Sequence, residues 1–330
     1  TYGYDATTKT LTTTSPEGHQ KVTITDDFGR ELSVDMAADD PGVVAPILKS
    51  YDAQGRLSQI SQGVQSWDYV YDTYNRVASR TDAAGHVTTY AYDAADRTIA
   101  VNLPSGRSVG YSYDQNSNRT GVIMPSNVIH SKSYSLRDLL TGYTPPANPA
   151  GFINSYDLDK ALTKKTLPGG RVQTNSFDAG GLWTGSSYPE ASVLYGYADT
   201  SGRLSQLTWS PVSGGLDQVI AFDYDASMTT SVGLSGVAEG DFTYSYDNNF
   251  FLIESTLNSG MDSIVTQFSH DADGMFTSYG PFAFTRDAPG GAISQIQDAS
   301  MSMAIGYDSL MNIASRSHIV NAVPVYDFVL

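Results

Sequence analysis

Apolar and polar residues alternate with a period of two along most of the chain, in short stretches that close on a pair of aromatics. Tyr69-Val70-Tyr71, Tyr90-Ala91-Tyr92, Tyr111-Ser112-Tyr113, Phe222-Asp223-Tyr224 and Tyr244-Ser245-Tyr246 share this form. Residues i and i+2 share a face only in a strand, so each stretch predicts a strand with a row of rings along one side. Asp follows directly in most copies, then a few small or polar residues and Arg, as in Asp52-Ala53-Gln54-Gly55-Arg56. Asp bonds back to the nearby backbone, and Gly or Asn accepts a positive φ, so this stretch predicts a tight turn. Alternation resumes after the Arg, in Leu57-Ser58-Gln59-Ile60, as a returning strand. A second turn closes the unit at Ala84-Gly85, Pro104-Ser105-Gly106 or Pro168-Gly169-Gly170. No stretch reads as a helix.

The unit repeats. Tyr51-Asp52 with Gly55-Arg56, Tyr71-Asp72 with Arg76 and Tyr92-Asp93 with Arg97 are the most regular copies, and Tyr113-Asp114 opens a version one residue longer that ends at Arg119. Weaker copies start at Tyr134, Tyr156-Asp157, Phe177, Tyr197, Tyr224, Tyr246-Asp247, His270, Arg286, Tyr307-Asp308 and Tyr326, and Tyr4 and Asp26 fill the same slot upstream. From Tyr4 to Tyr326, 322 residues in 15 intervals give a mean period of about 21.5, within the range of repeat architectures. The expected fold is all-β: tandem repeats of about 21 residues in a curved or spiralling antiparallel sheet. The array is expected to run over residues 1–330 as one domain, regular over 51–204, degenerate and acidic over 205–330. The Tyr, Asp, Gly and Arg of these copies are its structural anchors.

The motifs Tyr51-Asp52-x-x-Gly55-Arg56-Leu57 and Gly85-His86-Val87-Thr88-Thr89-Tyr90-Ala91-Tyr92-Asp93 resemble the consensus of the YD-repeat, or Rhs-repeat, family. That resemblance implies a sheet that spirals into a hollow shell, as in bacterial polymorphic toxins, Tc-toxin complexes, wall-associated proteins and the animal teneurins. It further implies a non-enzymatic scaffold that encloses or presents a toxin-like cargo domain, in a bacterial protein that is secreted or on the cell surface. The partner it implies is an encapsulated or adjacent protein domain of the same or a longer chain. A surface module for adhesion or carbohydrate binding, with a glycan or receptor as partner, is the alternative. Toxin-bearing members end their repeats in a core with Asp-Pro and Gly-Leu, and no such core closes these repeats. Both ends fall inside a Tyr-Asp unit, so the chain is expected to be a segment of a longer one, with its export signal outside.

Charge and composition narrow the partners. Lys and Arg number 19 against 35 Asp and Glu, a net charge of −16, which argues against nucleic acid. No apolar run is long enough to span a bilayer as a helix. Cysteine is absent, so disulfides, Cys-ligated zinc and thiol chemistry play no part. Of the acidic residues 30 are Asp and 5 Glu, as a turn-rich chain requires. The charge is uneven. Residues 1–203 hold 17 basic and 21 acidic residues, and 204–330 hold 2 and 14, so the net falls from −4 to −12 where the repeats are least regular. A solvated acidic face is the plain reading, and contact with a basic partner or cargo the sharper one.

Motifs that copy catalytic or metal-binding signatures read better as repeat turns. Gly106-Arg107-Ser108-Val109-Gly110 matches the Gly-x-Ser-x-Gly pattern but lacks the strand before and helix after that a nucleophile elbow needs. Asp114-x-Asn116-x-Asn118 starts like a calcium loop, yet Arg119 and Pro125 stand where Gly and Glu belong. The five histidines form no i, i+4 pair. No catalytic, cofactor or metal site is expected. The aromatic rows could stack on sugars, but cross-strand packing explains the same rings. The repeated Arg is expected to pair with the Asp of its own or the next turn.

Overall fold

The computed structural model describes residues 1–38, 44–146, 150–198, 201–286 and 288–329. Among them are 31 strands and one short 3-10 turn, Pro289–Gly291. The fold is all-β and antiparallel: within each unit successive strands pair as neighbours, as Leu57–Gln62 pairs Gln65–Tyr71 and Gln65–Tyr71 pairs Val77–Asp82. Alternation along Gln65–Tyr71 is as the sequence predicts. Trp67, Tyr69 and Tyr71 are half-buried on one face, and Val70 between them is exposed on the other.

The chain exposes 20064 Å², about half as much again as the roughly 13,000 Å² of a compact globule of this mass. Single-layer packing accounts for the excess. Among the described residues no large side chain is fully buried, and most side chains on the ring-bearing faces are half-buried.

The chain divides into two compact units. One comprises residues 89–245 and 255–264, and is an uninterrupted meander in which successive hairpins pair side by side. The other comprises residues 1–88, 246–254 and 265–330. It contains two such rows, an early one and a late one, that meet turn to turn. The N–H of Glu17 donates to Oδ1 of Asp273 at 3.1 Å, and the N–H of Ala272 donates to Oε1 of Glu17 at 2.9 Å. Further along the same seam the N–H of Ala45 donates to the carbonyl of Ser309 at 2.8 Å. Ala37, 2% exposed, and Val44, 4% exposed, lie beside this seam in sequence and are among the few buried apolar residues of the chain. Val34, 7% exposed, is buried within the early row itself, on the strand Glu31–Asp35.

Candidate functional site: the tyrosine–aspartate hairpins

Each hairpin is built from its Asp outward. The N–H groups of Gln54 and Arg56 both donate to Oδ1 of Asp52 at 2.9 Å, and the Arg56 Nε donates to Oδ2 at 2.7 Å. Asp72 holds Tyr74 and Arg76 in the same way, and Asp93 holds Ala95 and Arg97. The backbone closes beneath them: the N–H of Asp52 donates to the Arg56 carbonyl and the N–H of Gly55 to the Asp52 carbonyl. Gly55 has φ 82°, the left-handed residue that completes a type I turn and its bulge in a three-residue hairpin. Arg thus pairs with the Asp of its own turn. Partial desolvation pushes the Asp52 carboxyl up, and the Arg56 N–H, its guanidinium and the Gln54 N–H outweigh it, so the net direction is down. Asp72 balances the same way. At Asp93 the Arg97 guanidinium is the leading influence and again holds the carboxyl below its ordinary value.

A second bulge recurs one step up the hairpin. Tyr51 faces Leu57 but Ser50 faces Gln59, so Ser58 is extra; Tyr71, Tyr113, Tyr156 and Tyr307 face their partner strands with the same shift. A bulge disrupts the ladder locally, and a carbonyl left beside it needs a donor. The anchor tyrosine of the next unit supplies one. The Tyr71 hydroxyl donates to the Leu57 carbonyl at 2.8 Å, Tyr51 to Glu31 at 3.0 Å and Tyr113 to Thr98 at 2.8 Å, and Tyr307 donates to the Ile293 carbonyl, outside any strand, at 2.9 Å. Tyr134, Tyr156, Tyr197 and Tyr224 make the corresponding bond to Arg119, Leu140, Trp183 and Leu204. The guanidinium that clamps the Asp also covers this ring: Arg56 lies 4.4 Å from the Tyr71 centroid, Arg30 4.5 Å from Tyr51 and Arg97 4.7 Å from Tyr113. In these hairpins Asp, Arg and the next Tyr therefore form one latch that joins a unit to the one before it.

The latch persists where the motif does not. Phe177 has no hydroxyl, and Asn175 two residues earlier donates its Nδ2 to the Leu162 carbonyl at 2.7 Å instead. Arg286, in a tyrosine slot, donates its Nε to the Phe276 carbonyl at 3.0 Å, and Thr25 donates its hydroxyl to the Lys9 carbonyl. The sequence reading missed these substitutes. The available signal was the Asn that replaces the earlier aromatic of the pair in Asn154-Ser155-Tyr156 and Asn175-Ser176-Phe177.

The remaining anchors keep the turn and lose the clamp. Asp157 Oδ1 accepts from Asp159 and Ala161, and Asp247 Oδ1 from Asn249 and Phe251, with no Arg at the fourth position. Tyr246 closes the strand Gly240–Tyr246 that leads into the Asp247 turn. Asp308 accepts from Leu310 and Asn312, and the Asn312 amide reaches its Oδ2 at 3.1 Å. The Asp114 hairpin corrects one expectation: its turn is not a residue longer. Asn118 takes the Arg position, donating to Asp114 Oδ2 at 3.0 Å, and Ser117 supplies the positive φ of 69°. Arg119 is thereby displaced onto the strand, where it lies over Tyr111 at 5.6 Å. Arg203 closes a turn that opens with Ala198, and covers Tyr224.

The calcium-like residues of that hairpin turn their amides toward the next hairpin. Asn116 and Asn118 both donate to Asp138 Oδ1, at 2.9 and 2.7 Å. Among the described residues there is no group of three potential metal ligands. Ser108 opens the strand Ser108–Tyr113 directly after a turn, with no helix behind it.

These observations define a scaffold of tandem β-hairpins, many of them latched to their predecessors. The chain belongs to the Teneurin YD-shell family, whose model matches residues 1–329. Comparison with curated proteins gives no match. Among solved structures the chain is similar to a TcdB2-TccC3-Cdc42 crystal structure, at 12% identity and TM-score 0.46, over 94% of this chain and 23% of that one. It is also similar to a Photorhabdus luminescens Tc holotoxin pore, at 11% identity and TM-score 0.48, over 94% of this chain and 22% of that one. The chain thus spans less than a quarter of those chains. With TM-scores below 0.5, the assignment rests on the strands and on the family match.

Proposed function

We propose that this chain is a non-enzymatic segment of a YD-repeat shell, in an exported bacterial protein whose export signal lies outside it, and that the shell encloses or presents a toxin-like protein domain. The family match over residues 1–329 carries this reading. The latch supports it: Tyr, Asp, Gly and Arg are spent on holding one hairpin to the next, as structural anchors. Such an array makes wall, and its acidic stretch over 204–330 is suited to a basic partner surface. The parent protein tests it. Limited proteolysis of the full-length chain is expected to leave the downstream domain uncut while the shell is intact, and to release it once Tyr71→Ala opens a latch. Cleavage of that domain at the same rate with and without the shell would overturn the reading.

The carbohydrate alternative loses the rings on which it was based. Anchor rings such as Tyr71 are half-buried beneath a guanidinium and bonded at their hydroxyl. Among the described residues the rings at turn tips, Phe28, Tyr74 and Phe250, stand most exposed together with Tyr2 and Tyr4 of the first strand. Glycan binding lost on their joint replacement by Ala would restore that reading.

A further inference from the structure

The Arg of a regular hairpin spans two turns at once. Arg56 donates its Nε to Asp52 Oδ2 at 2.7 Å and its Nη1 to Asn75 Oδ1, in the next turn, also at 2.7 Å. It lies 4.4 Å from the centroid of the Tyr71 ring. Arg97 reaches in the same way from Asp93 Oδ2 to the Asp114 carbonyl, over the Tyr113 ring. Between the Asp247 and Asp271 turns a ring takes the place of that cation. Phe251 stacks on His270 and lies against Gly274, where a Cβ would come within 2.8 Å of it; Arg30 Nη1 holds the equivalent place at Gly55. A phenyl ring covers its neighbour but donates no hydrogen bond. Asp247 and Asp271 each use Oδ1 for two backbone N–H groups, and Oδ2 of neither has a partner among the described residues. Both carboxylates line one open groove of about 560 Å³ with Asn249, Phe251 and His270, inside a single compact unit.

We propose that this groove is a binding site for a guanidinium, presented by an arginine side chain of a partner polypeptide. A planar cation with five donors can bridge two carboxylates while lying flat on a ring. Its donors go to Oδ2 of Asp247 and Oδ2 of Asp271, and its plane stacks on the face of Phe251 that lines the groove. The regular hairpins show that this combination of carboxylate, ring and following turn accepts a guanidinium. Charge favours a cation there. No Lys or Arg lines the groove, and Glu17 approaches from the facing turn, its Oε1 accepting from the N–H of Ala272 at 2.9 Å. Arg286, the nearest arginine in sequence, is committed to the carbonyls of Phe276 and Gly291. Because the groove is open, the backbone that carries the incoming arginine can stay outside it. The site gives chemistry to the basic partner that the acidic stretch suits, and it binds its ligand whether or not a shell encloses a cargo, so the two readings fail separately.

A five-residue peptide with one arginine between glycines, blocked at both ends, is the probe. Titrated into the 330-residue chain, it is expected to shift the ring signals of His270 saturably, less so as salt rises. Citrulline in place of the arginine keeps the shape without the charge and should bind about tenfold more weakly. Lysine, a point charge that cannot bridge both carboxylates, should also bind more weakly. Asp247→Asn together with Asp271→Asn keeps an oxygen for each turn and should weaken binding about tenfold or more. Phe251→Arg supplies a guanidinium from within, so that variant should fold as the unaltered chain does and no longer bind the peptide. No saturable shift with the unaltered chain, equal binding of the citrulline or lysine peptide, or undiminished binding by the Asn variant or by a folded Phe251→Arg chain would each overturn the proposal.

Discussion

The hairpins opened by Asp52, Asp72 and Asp93 and those opened by Asp247 and Asp271 fold one turn from different side chains. In the first set Arg at the fourth position clamps the carboxylate, and Arg56 and Arg97 also cover the next anchor ring. In the second set the fourth position is Phe251 or Met275, and both carboxylates still accept the two backbone N–H groups of the turn. Phe251 stacks on His270, the next anchor, at 5.1 Å, and His270 in turn lies 4.5 Å from Phe276. Ring on ring has replaced cation on ring, at a similar energy of about 0.5–1.5 kcal/mol. The backbone-binding half of the Asp is thus the common requirement, and at Phe251 the fourth residue covers the next anchor without being charged. Each Arg given up this way leaves its Asp uncompensated. The acidic stretch, with 2 basic and 14 acidic residues over 204–330, is the electrostatic trace of that exchange.

The largest expected effect comes from removing the covered ring. Tyr71→Ala should destabilise by about 3 kcal/mol and Phe251→Ala by about 2 kcal/mol, below the range for fully buried aromatics because both rings are half-buried. Denaturant unfolding measures both. The exchange itself is sharper. Phe251→Arg should restore the clamp on Asp247, and Arg56→Phe should keep Tyr71 covered, so each is expected within about 1 kcal/mol of the unaltered chain. A loss from either as large as that of the alanine variants would show that the two kinds of cover are not equivalent.

The turn residue is next. Gly55 at φ 82° and Phe250 at φ 67° hold the same position in the two sets. A side chain in that region costs roughly 1–2 kcal/mol. Gly55→Val should therefore destabilise and Phe250→Gly stabilise by about 1 kcal/mol, both read from thermal midpoints. A loss of stability in Phe250→Gly would mean that its ring packs on something that outweighs the strain.

The hydroxyl comes third. Tyr71→Phe should cost about 1 kcal/mol, since the Leu57 carbonyl loses its side-chain donor. Tyr156→Phe should cost less, because the Asn154 amide shares the Leu140 carbonyl at 3.0 Å. Asn175→Ala should match Tyr71→Phe, and adding Phe177→Tyr should recover most of the loss. No recovery in the double variant would break the claim that one carbonyl is being served by interchangeable donors.

The strand, the turn, the positive φ and the Asp–Arg pair were all legible, because each is a local consequence of residues within five positions of one another. The latch was not. It depends on which carbonyl a bulge leaves beside the ladder, and the bulge at Ser58 shows only once Tyr51 and Leu57 face each other. For the same reason the Arg119 unit read as longer than its neighbours, although Asn118 had taken the Arg position. The seam between Glu17 and Asp273 was illegible for a simpler reason: 256 positions separate the partners, and nothing in either turn marks the other.

The smallest effect distinguishes the two sets by pH. Folding holds the carboxyls of Asp52, Asp72 and Asp93 below their ordinary values, against partial desolvation at the first two and led by the Arg97 guanidinium at the third. A carboxyl with a depressed folded value binds a proton more readily in the unfolded chain. Its contribution is therefore complete above the unfolded value, about 4, and is lost as pH falls through the folded one. The thermal midpoint should stay level from neutral pH down to about 5 and fall below about 4. Replacing all three with Asn keeps an oxygen for the turn N–H groups and removes the titration. That variant should begin lower at neutral pH and lose less on acidification, so the two profiles converge. Asp247→Asn, in a turn with no Arg to answer, removes one negative charge from a crowded stretch and should leave the neutral-pH midpoint unchanged or slightly raised. Parallel profiles for the triple variant and the unaltered chain would show that the acid response originates outside the Arg-clamped turns.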